Sequence, residues 1–325
     1  MKNDAVWLDA TVTAAEDIAE SVRRIEFAAS TAMPVFDPGS HIAIRAAIPG
    51  GHAIRTYSCL PDAGPGRVAV GVKLHPNSRG GSRFMFGLTV GDRVRITTPQ
   101  NRFDLSWRAP DYLLLAGGIG VTPLYGMAKA LAARGADLRL EYGGQSLGTM
   151  PFLAPLRALL GDRLTVHAQD QGAMIDLDAA IAPLSPTGEL YICGPLPMLE
   201  AAKRAWARAG RASSRLRYEV FGDTGRFTEV PFTVRVAGYD REVTVPSDRS
   251  LLDALDDAGI PMIHDCRRGE CGLCVVDVLG HAGEIDHRDV FLSDAEKREG
   301  TKLCACVSRI AGGTAVIDTG YRPQG

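Results

Sequence analysis

The stretch Cys266-Arg-Arg-Gly-Glu-Cys271-Gly-Leu-Cys274, followed downstream by Cys304-Ala-Cys306, decides how the chain is read. It holds five of the seven cysteines, while Cys59 and Cys193 stand alone. Met1-Lys2-Asn3-Asp4 soon brings an acid and leads into no apolar h-region, so no signal peptide is expected. The longest apolar run, 112–121, is interrupted by glycines and falls short of the ~20 residues that cross a bilayer. The expected setting is the cytoplasm, where thiols are reduced or bound to something. Five thiols crowded into one segment there point to metal before disulfide.

The C-x4-C-x2-C run with a further cysteine downstream has the spacing of plant-type [2Fe–2S] sites. A two-iron core needs four thiolates around a compact anion, and a loop supplying three of them must wrap tightly. Gly269 and Gly272 give it that freedom, and Arg267 and Arg268 place positive charge beside it. A four-thiolate zinc site is the alternative, but zinc usually takes two C-x2-C knuckles, and the first pair here is C-x4-C. The fourth ligand is Cys306 or Cys304. Cys306-Val-Ser-Arg leads into a strand expected over 315–318, as the last ligand does in plant-type ferredoxins, which favours Cys306 and leaves Cys304 a buried bystander.

The chain has 325 residues, 46% hydrophobic and 23% charged. At ~150 residues per domain that suggests two or three domains, of ordinary soluble composition. The net charge of −2 disfavours nucleic acid as a partner. Three textures follow one another. Residues 1–106 read as β, with short runs over 11–13, 21–27, 41–48, 67–74 and 92–97 between Gly/Pro turns, which predicts an antiparallel barrel or sandwich. Residues 107–222 alternate: strands over 112–116, 138–142, 163–168, 189–193 and 216–221, helices over 122–134, 150–160 and 197–209. That rhythm requires a mainly parallel sheet covered by helices. The polar stretch 222–229 reads as a linker. Residues 230–325 begin with a hairpin over 232–236 and 242–245 and a helix over 250–258, with Ser247 as its cap, ahead of the cysteine loop.

Two turns sit at the carboxyl edge of the expected parallel sheet, where open α/β sheets bind ligands. One is Ala116-Gly-Gly118-Ile-Gly120-Val-Thr122-Pro123, where glycines admit a phosphate or ring and a helix start favours an anion. The other is Cys193-Gly194-Pro195. In the β-rich part, Arg55-Thr56-Tyr57-Ser58 and the loop Ser78-Arg79-Gly80-Gly81-Ser82 offer guanidinium groups, hydroxyls and glycine N–H groups suited to a phosphate monoester. Tyr57 adds a flat ring for an isoalloxazine.

Taken jointly and in this order, R-T-Y-S, G-G-I-G-V-T-P, C-G-P and C-x4-C-x2-C resemble the ferredoxin–NADP⁺ reductase superfamily. With the iron–sulfur domain at the C-terminus, the chain is similar to phthalate dioxygenase reductase and the vanillate O-demethylase reductases. S-R-G-G-S (78–82), G-E-I-D-H-R-D (283–289) and C-V-S-R (306–309) are further local matches. The resemblance implies an antiparallel β-barrel flavin domain, an α/β parallel-sheet nucleotide domain and a β-grasp-like [2Fe–2S] ferredoxin domain. It implies that Arg55, Thr56, Tyr57 and Ser58 hold the flavin, that Val72 and Lys73 line its edge, and that Ser78, Arg79, Gly80, Gly81 and Ser82 grip its terminal phosphate, which suits FMN rather than FAD. Gly118, Gly120, Thr122, Cys193, Gly194 and Pro195 would approach the pyridine nucleotide, Phe221 would stack near the flavin, and Cys266, Cys271, Cys274 and Cys306 would bind the cluster. Gln145 stands where many relatives carry an Arg near the adenosine ribose and cannot neutralise a 2′-phosphate, which favours NADH. His264-Asp265 precede the first ligand where a small residue is usual.

The implied activity is an electron-transfer reductase: NADH to FMN to [2Fe–2S] to a terminal Rieske oxygenase acting on an aromatic acid or ether. The protein is expected to be a monomer, with neither nucleic acid nor membrane as a partner. Arg267, Arg268 and 284–289 flank the cluster and are candidates for docking that oxygenase. A reductase feeding a cytochrome P450, or a ferredoxin-type carrier without NADH activity, are the alternatives. No Ser-His-Asp or paired-carboxylate constellation is evident, as expected if the cofactors carry the chemistry.

Overall fold

The computed structural model describes residues 6–49, 51–76, 78, 80–221, 227 and 230–322. Arg79 and nearly all of the linker expected over 222–229 lie outside the described residues, as does Met1-Lys2-Asn3-Asp4. The chain divides into two units, Met1–Glu219 and Val220–Gly325. Among the described residues no helix is long and apolar enough to cross a membrane.

In the first unit the alternating runs become β1 (Trp7–Ala19), β2 (Val22–Ala29), β3 (Ser40–Ile48), β4 (Gly51–Leu60), β5 (Arg67–Lys73), β6 (Arg93–Thr97) and β7 (Gln100–Asn101). They pair antiparallel in the order β4-β5-β2-β1-β6-β3-β7, and β3 pairing back onto β4 closes the sheet into a barrel. The period-two pattern sets the inside: Ile42, Ile44, Ala46 and Ile48 on β3 are all buried. With Ile25, Phe27, Val70 and Ile96 the β3 isoleucines Ile42 and Ile44 fill the core. A short helix, α1 (Gly81–Gly87), starts at Gly80, whose φ of 85° is left-handed. A Cβ at Gly80 would also meet Ile48 Cγ2 at 2.6 Å.

The rest of this unit is the α/β part: β8 (Asp111–Gly117), α2 (Val121–Ala133), β9 (Asp137–Gly144), α3 (Leu153–Leu160), β10 (Leu164–Ala168), α4 (Leu177–Ile181), β11 (Glu189–Gly194), α5 (Leu196–Arg208) and β12 (Leu216–Val220). The sheet order is β10-β9-β8-β11-β12, and the β10–β9, β9–β8 and β8–β11 pairs are parallel. After β8 the chain builds outward through β9 and β10, then returns to place β11 on the opposite side of β8. The carboxyl ends of β8 and β11 are therefore a topological switch point, where such sheets open a crevice.

The second unit has β13 (Phe232–Val236), β14 (Arg241–Val245), α6 (Leu251–Asp257), β15 (Val275–Asp286), α7 (Asp294–Glu299), β16 (Lys302–Cys304) and β17 (Arg309–Asp318). Its sheet runs β14-β13-β17-β15-β16, with β13 and β17 parallel and the remaining pairs for which the register is set antiparallel. Leu251, Leu252 and Leu255 of α6 pack with Val234, Val236, Val245 and Ile317 of the sheet, the mixed-sheet arrangement of a β-grasp. The α6 cap is Ser250, which accepts from Asp253 N, rather than Ser247. Ser250 directly precedes the apolar run, as an N-cap should; Ser247 lies one turn too early.

Candidate functional site

Arg55, Thr56, Tyr57 and Ser58 lie on β4, opposite Ile44, Ala43, Ile42 and His41 of β3. On the other side, among the described residues, β4 pairs with β5 at Cys59↔Val70 and Leu60↔Ala69. β5 pairs with β2 along its whole length, but its register with β4 stops at Cys59, so the β4 edge from Arg55 to Ser58 keeps backbone groups open to a ring. Val72 is 1% exposed and its side chain belongs to the barrel core, so it can line a flavin only through its backbone. Lys73 is half-buried.

The phosphate loop is brought to the same strand. A Cβ at Gly81 would lie 2.8 Å from both Cγ and Nε of Arg55, so the Arg55 side chain runs across the start of α1. Ser78 and Ser82 already stiffen this loop: Ser78 Oγ accepts from Arg83 N at 3.4 Å and Ser82 Oγ from His75 N at 3.3 Å. The set pairs a guanidinium with a glycine turn, which is the chemistry a phosphate monoester asks for.

The two turns at the carboxyl edge touch. A Cβ at Gly120 would overlap the Cys193 carbonyl and meet Gly194 N at 2.8 Å; one at Gly117 would meet Pro195 Cδ at 2.6 Å. Gly118, with φ 54°, is left-handed, and its carbonyl accepts from Tyr142 Oη at 3.3 Å. Cys193 is fully buried, and Thr122 donates its hydroxyl to Ile119 O at 2.9 Å. The turn also reaches the barrel: a Cβ at Gly71 of β5 would lie 2.9 Å from Thr122 Cγ2. The nucleotide crevice therefore opens beside the unpaired edge of β4.

Glu219, at the end of β12, was not among the expected site residues. Its Oε2 accepts from Ser58 Oγ at 3.4 Å, and the two side chains are buried. No periodicity could flag it: it is one acid in a short strand. Phe221 follows β12 directly and is half-buried. Gln145, just past β9, is exposed. Its carbonyl accepts from Asp170 N at 2.9 Å, which brings an acidic residue alongside rather than a basic one.

In the second unit Cys266, Cys274, Cys304 and Cys306 are buried and Cys271 half-buried. Gly269 and Gly272 both have φ 73°. A Cβ at Gly269 would meet Val307 Cγ2 at 2.6 Å, and one at Gly272 would overlap the Phe291 ring. Arg268 N donates to Cys266 Sγ at 3.3 Å. Arg267 occupies the left-handed region at φ 53°, a strained conformation for a side chain-bearing residue. Its guanidinium is held by Asp253 of α6 at 2.7 Å. His264 Nε2 lies 3.1 Å from Arg267 Nη2.

Among the described residues no three metal-ligating side chains meet on one point as around a single ion. Cys306 hydrogen-bonds with both Cys266 and Cys274, whereas Cys304 reaches Cys274. The Cys306 hydrogen bond, outweighing burial, holds the Cys266 thiol down to about 4. The Cys304 and Cys306 hydrogen bonds hold Cys274 down to about 3. The same contacts, with burial, push Cys304 and Cys306 up, so these thiols share protons as one cluster.

The expectation that Arg267, Arg268 and 284–289 form a docking face is only partly met. Arg268, Asp286, Arg288 and Asp289 are buried at 5% exposure or less. Arg268 pairs with Glu270 at 3.1 Å and Arg288 with Asp286 at 2.6 Å, inside the unit rather than on its surface.

A barrel with an open strand edge, a switch-point crevice abutting it and a cysteine loop define an electron-transferring oxidoreductase of the flavin and iron–sulfur class. Residues 9–105 match the oxidoreductase FAD-binding domain family, and residues 234–311 match the 2Fe-2S iron-sulfur cluster binding domain family. A putative toluene-4-sulfonate monooxygenase system reductase subunit of Comamonas testosteroni is 36% identical over 95% of this chain and 98% of its own length. Vanillate O-demethylase oxidoreductase of a Pseudomonas species is 33% identical over 96% and 99%. The structure of phthalate dioxygenase reductase, described as a modular structure for electron transfer from pyridine nucleotides to [2Fe-2S], superposes with a TM-score of 0.78 at 31% identity, covering 96% of this chain and 98% of that one. The chain belongs to this family of reductases.

Proposed function

We propose that the protein oxidises NADH and delivers the electrons, through FMN and a [2Fe–2S] cluster, to a terminal Rieske-type oxygenase or O-demethylase acting on an aromatic compound. The observation that carries this is the Thr122–Gly71 approach, which sets the nucleotide turn against the strand edge that would hold the flavin. A bound flavin would take up one hydride, two electrons with a proton, and release electrons singly, which lets a two-electron donor serve a one-electron cluster. The protein's own work is placement. Arg55, Thr56, Tyr57 and Ser58 orient the ring, with Val72 and Lys73 along its edge. Ser78, Arg79, Gly80, Gly81 and Ser82 take a terminal phosphate together with Arg55, which favours FMN although the matching family is named for FAD. Gly118, Gly120, Thr122, Cys193, Gly194 and Pro195 admit the nicotinamide and pyrophosphate at the switch point, and Phe221 closes the ring's surroundings. Gln145 beside Asp170 favours NADH over NADPH. Cys266, Cys271, Cys274 and Cys306 hold the cluster; the contacts of Cys306 with two other ligands support it over Cys304.

In this reading residues 1–106, 107–222 and 230–325 are the flavin, nucleotide and ferredoxin domains of a cytoplasmic monomer. The oxygenase partner is supported by the name of the Comamonas relative, a reductase subunit of a monooxygenase system. Heat extraction of purified protein followed by chromatography tests the cofactors: FMN and iron with inorganic sulfide are expected, together with faster reduction by NADH than by NADPH. Release of FAD, or zinc in place of iron, contradicts the assignment.

A further inference from the structure

The segment Asp286-His287-Arg288-Asp289, which ends β15 and opens the turn beyond it, serves none of the roles above. Asp286 and Arg288 neutralise each other at 2.6 Å. Asp289, fully buried, does something else. Its Oδ1 accepts from Ser308 Oγ at 3.0 Å and its Oδ2 from Leu292 N at 2.9 Å. The same Ser308 hydroxyl accepts from Arg288 N at 3.1 Å. Ser308 is two residues beyond Cys306. On its other side Asp289 packs on the cysteine loop: a Cβ at Gly269 would lie 2.8 Å from Asp289 Cα. Val290 N donates to Gly269 O at 3.0 Å, and Gly269 stands between Cys266 and Cys271.

One residue thus ties together two pieces of chain that are remote in sequence and both carry ligands. Its Oδ1 lies 3.6 Å from His287 Nδ1 and its Oδ2 3.9 Å from Lys297 Nζ. Burial raises its carboxyl, and the His287, Leu292, Lys297 and Ser308 interactions outweigh that and keep it below the usual carboxylate range.

We propose that Asp289 is a positioning residue of the iron–sulfur site: it fixes the Cys266–Cys271 loop against the Cys306 segment, and its buried charge makes the cluster harder to reduce. This rests on Cys266, Cys271, Cys274 and Cys306 holding a [2Fe–2S] cluster. The physical ground is electrostatic. Reduction adds an electron to an already anionic core, and a fixed negative charge in a water-poor interior opposes it far more than it would in solvent.

The test is a potentiometric titration of the full-length protein, followed through the EPR signal of the reduced cluster. Asp289→Asn keeps the shape and a hydrogen-bonding side chain but removes the charge. It is expected to retain the cluster and favour reduction by at least about tenfold, 59 mV for one electron. Ser308→Ala keeps the charge and removes a donor that stabilises it, so its shift should have the opposite sign. A merely structural role would move both the same way or neither. An unchanged midpoint in Asp289→Asn, or shifts of like sign, overturns the proposal. Should Asp289→Asn fail to assemble a cluster, Ser308→Ala decides: a more negative midpoint supports the proposal, and any other result overturns it. A wild-type protein without a two-iron spectrum would instead defeat the ligand assignment beneath it.

Discussion

Gly71→Ala puts the approach of the nucleotide turn to the flavin strand to a direct test. Gly71 is not in the left-handed region, so alanine brings no backbone strain there. The new Cβ would stand 2.9 Å from Thr122 Cγ2 and 3.8 Å from Phe152 Cζ. Carbon pairs settle at about 3.5–4.0 Å, so the Thr122 contact must open by roughly 0.6–1 Å. Thr122 cannot swing aside cheaply. It is β-branched and stiff at χ1, its hydroxyl is tied to Ile119 O at 2.9 Å, and it is buried. The turn as a whole must therefore retreat from β5. A misplacement near 1 Å of groups that orient a reaction costs on the order of 10²-fold, roughly 3 kcal/mol in the barrier. Anaerobic stopped-flow reduction by NADH, at equal flavin content, should slow by about that factor, while dithionite reduces the cluster as in wild type. Adding Thr122→Ser removes the clashing methyl and keeps the hydroxyl, so the double variant should recover most of the rate. An unaltered rate in Gly71→Ala, or no recovery in the double variant, refutes the reasoning.

Further outcomes follow from other parts of the structure. Cys306→Ser should lose the cluster, while Cys304→Ser should keep it, as judged by iron content and the visible spectrum. Gln145→Arg should improve use of NADPH by about tenfold or more, since a guanidinium–phosphate bond is worth ~1.5–3 kcal/mol; steady-state kcat/KM for both nucleotides measures it. On β2, burial raises the Glu26 carboxyl, but hydrogen bonds from Arg67, Arg24, Gly64 and Thr13 outweigh it and hold it down to about 2. A depressed carboxylate stabilises the fold above its unfolded value and ceases to as pH falls toward the folded one. Glu26→Gln should therefore destabilise the first unit by about 2–3 kcal/mol near neutral pH. The gap from wild type should close as pH drops below 4.5 toward 2, measured by denaturant unfolding across that range.

What the sequence made legible is what spacing and glycine encode. The cysteine loop is a spacing, the nucleotide turn is a glycine pattern after an apolar strand, and the barrel runs alternate with period two. Each survives in the structure because local chemistry forces it: Gly269, Gly272 and Gly120 all stand where a Cβ would strike backbone or a ring. β15 was invisible for the opposite reason. Its 12 residues are mostly exposed and carry no regular apolar alternation, and the β17 ladder holds them. β4 was legible only as a motif, because Ile54, Arg55, Thr56 and Tyr57 are all half-buried and the strand shows no period-two alternation. Glu219 and Asp289 are buried acids whose partners are distant in sequence or in a turn, so the chain alone presents them as ordinary charge. The run 284–289, a docking candidate by sequence, is in large part an internal brace.

The most direct measurement is an anaerobic titration of the purified protein with NADH, read by visible absorbance and by EPR of the same samples. Joint bleaching of flavin and cluster bands, with a reduced [2Fe–2S] signal growing in step, is the predicted result. Flavin reduction that leaves the cluster oxidised until dithionite is added would contradict it.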